Sequence, residues 1–524
     1  MLKNNASARS VNSTRNAVFS LFCSFIALLA SFVGRTVFVH YLAAEVLGLN
    51  GLFANLLTFL SLTELGIGSA INFALYRPLK EGDTEKVKSL MAVYKRFYIL
   101  VGSAILTLGA LLTPFLPILI KDLPQSVPLA DIRVYYLLYV VNSAVSYFFT
   151  YKRSLIICDQ REFISSLSIG VFRIVTVALQ VLLLVTTGSF LWYLLAQIGC
   201  TLAENVTVSC IADRLYPFLR EKGAKKLARE EDLTLRRNIS ALCFHKIGGA
   251  VVFSSDHIII SKFVGLVQTG LYSNYTLILS SVNTVLSQAL TGMAASLGNL
   301  MAGSPDAYSE KILYHILFLN SWVYGFASAC ILGLCQPFIR LWVGQGYLLG
   351  DLTLILAVVS FYLTGMRRTV WLFKDAAGVF TQDRFKPLIE AAVNIAVSIP
   401  LAIRLGIPGV LTGTIFSTLS VSFWYEAQAL FRARFGKGAG RYLLMQAKYL
   451  AFNAIVAALC FFLCSLVGSY SPGAFFLRLA ICLAVPNLAC LPCFRRSTDM
   501  AYFKLAFSSL FKKLLPRRKQ KDKG

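Results

Sequence analysis

The feature that most constrains this chain is a run of about twenty apolar residues that recurs, at nearly even spacing, from one end to the other. A helix needs roughly 20 apolar residues to cross the hydrocarbon core of a bilayer, and about fourteen stretches approach or exceed that length. The first seven cover residues 17–42, 49–75, 97–120, 134–157, 163–185, 191–211 and 239–263. The second seven cover 271–297, 312–334, 352–373, 388–405, 410–430, 449–467 and 475–491. With 57% hydrophobic and 14% charged residues, the chain lies outside the range of soluble globular proteins. The expected fold class is therefore an all-α polytopic membrane protein. A stretch of residues 17–42 is too long for the apolar core of a signal peptide and reads as a retained first helix.

The formal net charge of +25 would suggest nucleic acid if it formed a stripe on a soluble surface. Here the basic residues sit in alternate connections: Arg77 to Arg96, Lys152 to Arg161, Arg214 to Arg237, Arg367 to Lys386, Arg432 to Arg441, and the tail from Lys512. Connections such as 43–48, 186–190 and 264–270 carry almost none. Lys and Arg concentrate on the cytoplasmic side of short loops, so both termini are expected there and no nucleic-acid partner is expected. Outer connections are too short for a folded domain. The longest inner one, 213–238, contains Arg220-Glu-Lys-Gly-Ala-Lys-Lys, which reads as a solvated tether over anionic lipid.

That linker divides the chain, and an internal echo supports the division. Gly51-Leu-Phe-Ala-Asn55 opens the second span and Gly270-Leu-Tyr-Ser-Asn274 opens the eighth. Six spans separate the copies. An even number preserves orientation, so the repeat would be parallel, about an axis along the membrane normal. The expected organisation is an N-terminal lobe 1–212, a basic cytoplasmic linker 213–238, a C-terminal lobe 239–431, two additional helices within 432–494, and a basic cytoplasmic tail 495–524.

A charge at the centre of a spanning helix costs roughly 2.5–3.5 kcal/mol, so ionisable residues at depth need a partner, a cavity or a function. Candidates are Arg35 in the first span, Glu64 in the second, Arg173 in the fifth, Glu204 in the sixth, and His245, Lys246 and Asp256 in the seventh. Lys246 and Asp256 lie ten residues apart, roughly 15 Å along a helix, and cannot pair directly. Arg367, Arg368, Glu390 and Glu426, near inner ends, are expected to snorkel to the interface. Asn55 and Asn274, closing the two echoed motifs, join the candidate substrate contacts. Pro114, Pro117, Gly248-Gly249 and Gly406-Ile-Pro-Gly409 mark places where a span can bend.

Catalytic signatures are missing. There is no Gly-x-x-x-x-Gly-Lys-[Ser/Thr], no His-Glu-x-x-His and no Gly-x-Ser-x-Gly, and Gly436-Lys-Gly-Ala-Gly-Arg441 sits in a basic loop with no preceding strand. A transporter rather than an enzyme is expected, without cofactor. The 12 cysteines lie mostly in apolar runs without zinc-type spacing, and Cys490-Leu-Pro-Cys493 lacks a βαβ context, so inert membrane thiols are expected and no metal.

Arg35-Thr-Val-Phe-Val-His-Tyr-Leu, Gly48-Leu-Asn-Gly-Leu-Phe-Ala-Asn55, Leu60-Ser-Leu-Thr-Glu-Leu-Gly-Ile-Gly68 and Leu75-Tyr-Arg-Pro-Leu79 together resemble the N-terminal signature of bacterial polysaccharide transporters. So do Phe244-His-Lys-Ile-Gly248, Ser255-Asp-His-Ile-Ile-Ile-Ser261 and Gly270-Leu-Tyr-Ser-Asn-Tyr275. These transporters belong to the multidrug, oligosaccharidyl-lipid and polysaccharide exporter superfamily. The resemblance implies two six-helix lobes facing a central cavity, with two extra helices, and a flippase for undecaprenyl-pyrophosphate-linked oligosaccharide working by alternating access in the bacterial plasma membrane. Its partners would be the lipid-linked oligosaccharide, bilayer lipid and polysaccharide assembly proteins. On that implication Arg35, Arg173, Lys246, Asn55 and Asn274 contact substrate, while Glu64, Glu204, His245 and Asp256 couple or balance charge. Competing expectations are a multidrug or organic-cation antiporter of the same superfamily, and a membrane polysaccharide polymerase or ligase.

Overall fold

The structure is a computed structural model that describes residues 6–61, 67–121, 123–124, 126–159, 161–221, 229, 233, 255–291, 293–379, 382–383, 385–495 and 497–502. These residues are almost wholly helical and contain no strand. Helix is the outcome that chemistry requires, because a backbone in hydrocarbon must satisfy its own N–H and C=O groups. The helices are α1 (Ala6–Tyr41), α2 (Ala44–Leu60), α3 (Ile67–Glu81), α4 (Thr84–Leu112), α5 (Leu116–Leu119), α6 (Leu129–Cys158), α7 (Glu162–Thr187) and α8 (Phe190–Leu215). They continue with α9 (Leu266–Thr291), α10 (Ala294–Gly303), α11 (Asp306–Trp342), α12 (Asp351–Ala377), α13 (Lys386–Leu405), α14 (Ile407–Ser417), α15 (Phe423–Phe435), α16 (Gly440–Ser465) and α17 (Pro472–Phe494).

Among the described residues, nine helices are long and apolar enough to cross a membrane. The outward faces agree with that reading. Leu100, Ile403, Ile455 and Phe476 are each at least 65% exposed, an arrangement that lipid tolerates and water does not. The chain is a multi-pass all-helical membrane protein.

Several apolar runs are broken where the sequence permits it. Pro114 and Pro117 convert the end of the third run into a 3₁₀ turn, Thr113–Phe115, followed by the short α5. The run 271–297 is split between α9 and α10. Gly406, at φ +68°, separates α13 from α14, a conformation that suits glycine because no Cβ obstructs it. Among the described residues two π turns occur, Ile260–Val264 and Thr418–Ser422, the second joining α14 to α15 within one continuous span.

Packing divides the chain into two compact units. One comprises Met1–Ser281, Tyr347–Leu356 and Asp383–Ser422; the other comprises Val282–Gly346, Ala357–Gln382 and Phe423–Gly524. Helices α9 and α12 and the span after Gly406 each contribute to both units.

Within the first unit α1 lies along α7, α6 lies between α4 and α8, and α13 pairs with α14. Leu49, Leu52, Phe53, Ile132, Tyr136 and Ala144 are fully buried in its core. The beginnings of α2 and α9, which carry the echoed motifs, cross at contact distance. A Cβ on Gly48 would lie 2.1 Å from the Leu266 carbonyl oxygen, and one on Gly270 would lie 2.4 Å from that of Ala44. Small residues permit such backbone approach, the usual currency of helix association in lipid. At the basic ends of the helices, Lys152 pairs with Asp213 at 2.8 Å and Lys88 with Glu221 at 2.9 Å. There Tyr216 donates to Asp159 at 2.7 Å, and burial with that carboxylate holds the phenol well above its ordinary range.

In the second unit α11 packs on α16 and α17. Its buried polar ties include Asn320 to the Gly365 carbonyl at 2.9 Å and Tyr324 to Asn283 at 2.9 Å.

Candidate functional site

Arg35 and Ser31 are four residues apart on α1, so they share one face. Arg35 Nη1 donates to Ser273 Oγ of α9 at 3.0 Å, and Ser273 in turn donates to the Gly270 carbonyl at 2.7 Å. Arg173 on α7 donates through Nη2 to Ser31 Oγ at 2.8 Å, and Ser31 donates to the Ala27 carbonyl at 2.7 Å. Each guanidinium is thus oriented by a serine whose own proton is committed to its helix.

Tyr193 of α8 lies within electrostatic reach of both Arg35 and Arg173, and Tyr139 of α6 within reach of Arg35. Phe38 packs edge-on against Tyr193 at 5.4 Å, and Tyr139 donates to Asn50. Four helices, α1, α6, α7 and α8, therefore bring two cations and two phenols together. Among the described residues neither arginine has a carboxylate at ion-pair distance. Arg153, Arg367 and Lys386 contrast with this, since each of them meets an acid.

The residues around the π turn at Ile260–Val264 face two ways. His257 is buried with its ring 5.3 Å from that of Tyr272, and it is within electrostatic reach of Arg35. Asp256 points toward α14, where Thr414 Oγ1 donates to it at 3.0 Å. Asn394 donates to Thr414 at 3.0 Å, and Ser255 donates to Asn394 at 3.1 Å. Among the described residues, Asp256 thus ends a chain of neutral polar groups and meets no cation.

The remaining expected site residues separate. Glu204 forms an ion pair with Arg153, tying α8 to α6. Asn55 donates to the Gly51 carbonyl of its own helix at 2.9 Å. Asn274 is fully buried, and among the described residues neither end of its amide has a hydrogen-bond partner. Glu64, His245 and Lys246 lie outside the described residues.

The snorkelling expectation is corrected for Arg367, Glu426 and Glu390. Arg367 and Glu426 do not snorkel: they are buried and paired, as are Lys386 and Glu390 at 3.4 Å. Removing water from such groups requires a partner, and each found one on the protein. Arg368, by contrast, lines an open cleft of about 430 Å³ with Ser287, Trp371 and Asp375, its guanidinium 5.3 Å from the Trp371 ring.

Tyr139, Tyr193, Ser31 and Ser273 escape a reading of intramembrane charge because they carry none. The i−4 serine before Arg35 is the signal in the sequence that could have located part of the site.

No protein-family profile matches the chain, and no curated protein matches it. Solved structures do. The chain is similar to the lipid II flippase MurJ in an inward closed conformation, with a TM-score of 0.61 and 14% identity, over 94% of this chain and 99% of that one. It is similar to an inward-facing multidrug resistance MATE transporter, with a TM-score of 0.59 and 12% identity, over 79% and 98%. A MOP superfamily transporter from Pyrococcus furiosus, described as having reverse polarity of its binding pocket, gives 0.55 and 12% over 82% and 97%. The chain accordingly has the polytopic helical fold of these solved transporter structures.

Proposed function

We propose that this chain carries an undecaprenyl-pyrophosphate-linked oligosaccharide from the cytoplasmic to the outer leaflet of the bacterial plasma membrane by alternating access, with both termini in the cytoplasm. The observation that carries the proposal is the pair Arg35 and Arg173, held by Ser273 and Ser31 at membrane depth without a carboxylate partner among the described residues. A pyrophosphate cannot cross hydrocarbon unaided, and its hydration must be replaced by donors of opposite charge. Guanidinium groups do this well because they stay ionised and offer several N–H groups in a fixed fork. Tyr139 and Tyr193 set two phenols beside the arginines. The similarity to a lipid flippase over 94% of the chain supports a lipid-borne substrate.

A second reading, export of organic cations, draws on the similarity to MATE transporters and on Asp256. Asp256 is already engaged by Thr414, which favours the anionic substrate.

Arg35→Ala and Arg173→Ala, expressed at normal levels, should each lower translocation of a fluorescent lipid-pyrophosphate-oligosaccharide in proteoliposomes about tenfold or more, the loss expected for a charge-assisted contact. Full activity in both variants would overturn the assignment.

A further inference from the structure

Four of the 12 cysteines scattered through the sequence come together in the fold. Cys460 and Cys464 occupy successive turns of α16, and Cys482 of α17 meets both. Its Sγ lies 3.5 Å from that of Cys460 and 3.7 Å from that of Cys464, and all three sulfurs fall within 4.8 Å of one another. All three thiols are buried. Cys330, on the neighbouring α11, donates its thiol proton to the Cys482 carbonyl at 3.7 Å. Two helices therefore bring three sulfurs to one spot and a third helix sets a fourth thiol beside it, an arrangement that helical spacing within a single run could not disclose.

We propose that Cys460, Cys464 and Cys482 form a binding site for a thiophilic divalent cation of the zinc type, with Cys330 placed to close it. A zinc–sulfur bond of about 2.3 Å sets the edge of a tetrahedral sulfur site at about 3.8 Å, so the observed separations need little adjustment. Space is reserved for the sulfurs by Gly333 of α11, where a Cβ would come within 2.8 Å of Cys482 Sγ and 3.0 Å of Cys464 Sγ.

Charge also balances. Three thiolates around a divalent cation carry one net negative charge, and Arg478 is buried beside them. Its guanidinium donates to the carbonyls of Cys464 at 3.1 Å and Ser469 at 3.0 Å, and also to that of Val467. The same side chain caps the open end of α16 and supplies the compensating charge. Binding displaces one proton from each of the three thiols, which leave as buffer-borne protons. The site would fasten the last two helices to α11, independently of what the transport cavity carries.

The test uses the full chain in detergent, reduced, stripped with chelator, exposed to Zn²⁺ and desalted before metal counting. One zinc per chain, three thiols newly protected from a thiol reagent, and a raised melting temperature are expected. Cys482→Ser should retain less than a tenth of an equivalent, and Gly333→Ala, which keeps every thiol but crowds the sulfurs, should weaken retention at least tenfold. Cys200→Ser, outside the cluster, should retain the full equivalent. Equal zinc in the original chain and Cys482→Ser would overturn the proposal. So would loss of two thiols to a disulfide without metal.

Discussion

Arg367 and Glu426 meet through two parallel hydrogen bonds, Nε to Oε2 at 3.1 Å and Nη2 to Oε1 at 2.8 Å, with both side chains at most 5% exposed. A forked pair in a dry interior binds α12 to α15, and the two members stand or fall together. Arg367→Ala leaves a buried carboxylate and should destabilise by about 3–5 kcal/mol. The double variant Arg367→Met with Glu426→Leu removes both charges and should regain most of that loss. Thermal unfolding in detergent measures both; a double variant no better than the single would show that the pair is not the source.

The glycines where α2 crosses α9 give a packing prediction. Gly48→Val or Gly270→Val places carbon atoms against backbone oxygen at 2.1 Å and 2.4 Å, which side-chain rotation cannot relieve. Each should cost about 1–3 kcal/mol or more and lower the yield of monodisperse protein. Gly199→Ala on α8, with nothing within 4 Å, is the matched control and should be neutral or slightly stabilising. Size-exclusion chromatography on heating separates the two outcomes.

Ser31 and Ser273 orient the arginines without bearing charge. Ser31→Ala and Ser273→Ala should each reduce translocation several-fold, more than any accompanying fall in melting temperature accounts for, because each removes the bond that aims a guanidinium. Arg173→Lys should recover less activity than its size suggests, because an ammonium cannot reproduce the fork. An equal fall in stability and transport would mark the serines as packing residues.

Glu204 and Arg153 test whether an intramembrane acid couples transport or ties helices. With the acid paired on α6, Glu204→Gln alone should lower stability, and adding Arg153→Met should restore it together with transport. Persistent loss of transport in a stable double variant would return Glu204 to a coupling role.

The crossings were legible because hydrocarbon imposes one length and one hydrogen-bonding solution on every span. Arg35 and Arg173 were legible for the same reason, as charges where charge is costly. What the chain order conceals is convergence. Cys330, Cys460, Cys464 and Cys482 are separated by well over a hundred residues at their extremes, and no spacing rule connects them. Arg367 and Glu426 looked like interfacial residues because each lies near the end of its own run, and only the neighbouring helix shows what buries it. Tyr193 is one aromatic among many until the arginines on two other helices are placed beside it.

The π turn Thr418–Ser422 falls where the span after Gly406 leaves one packing unit and enters the other. Ahead of it, Thr414 holds Asp256; beyond it, Glu426 holds Arg367. One residue in an α-helix advances the face by about 100°. The wide turn therefore inserts a phase step into the helix just after Thr414, and deleting Leu419 would remove that step.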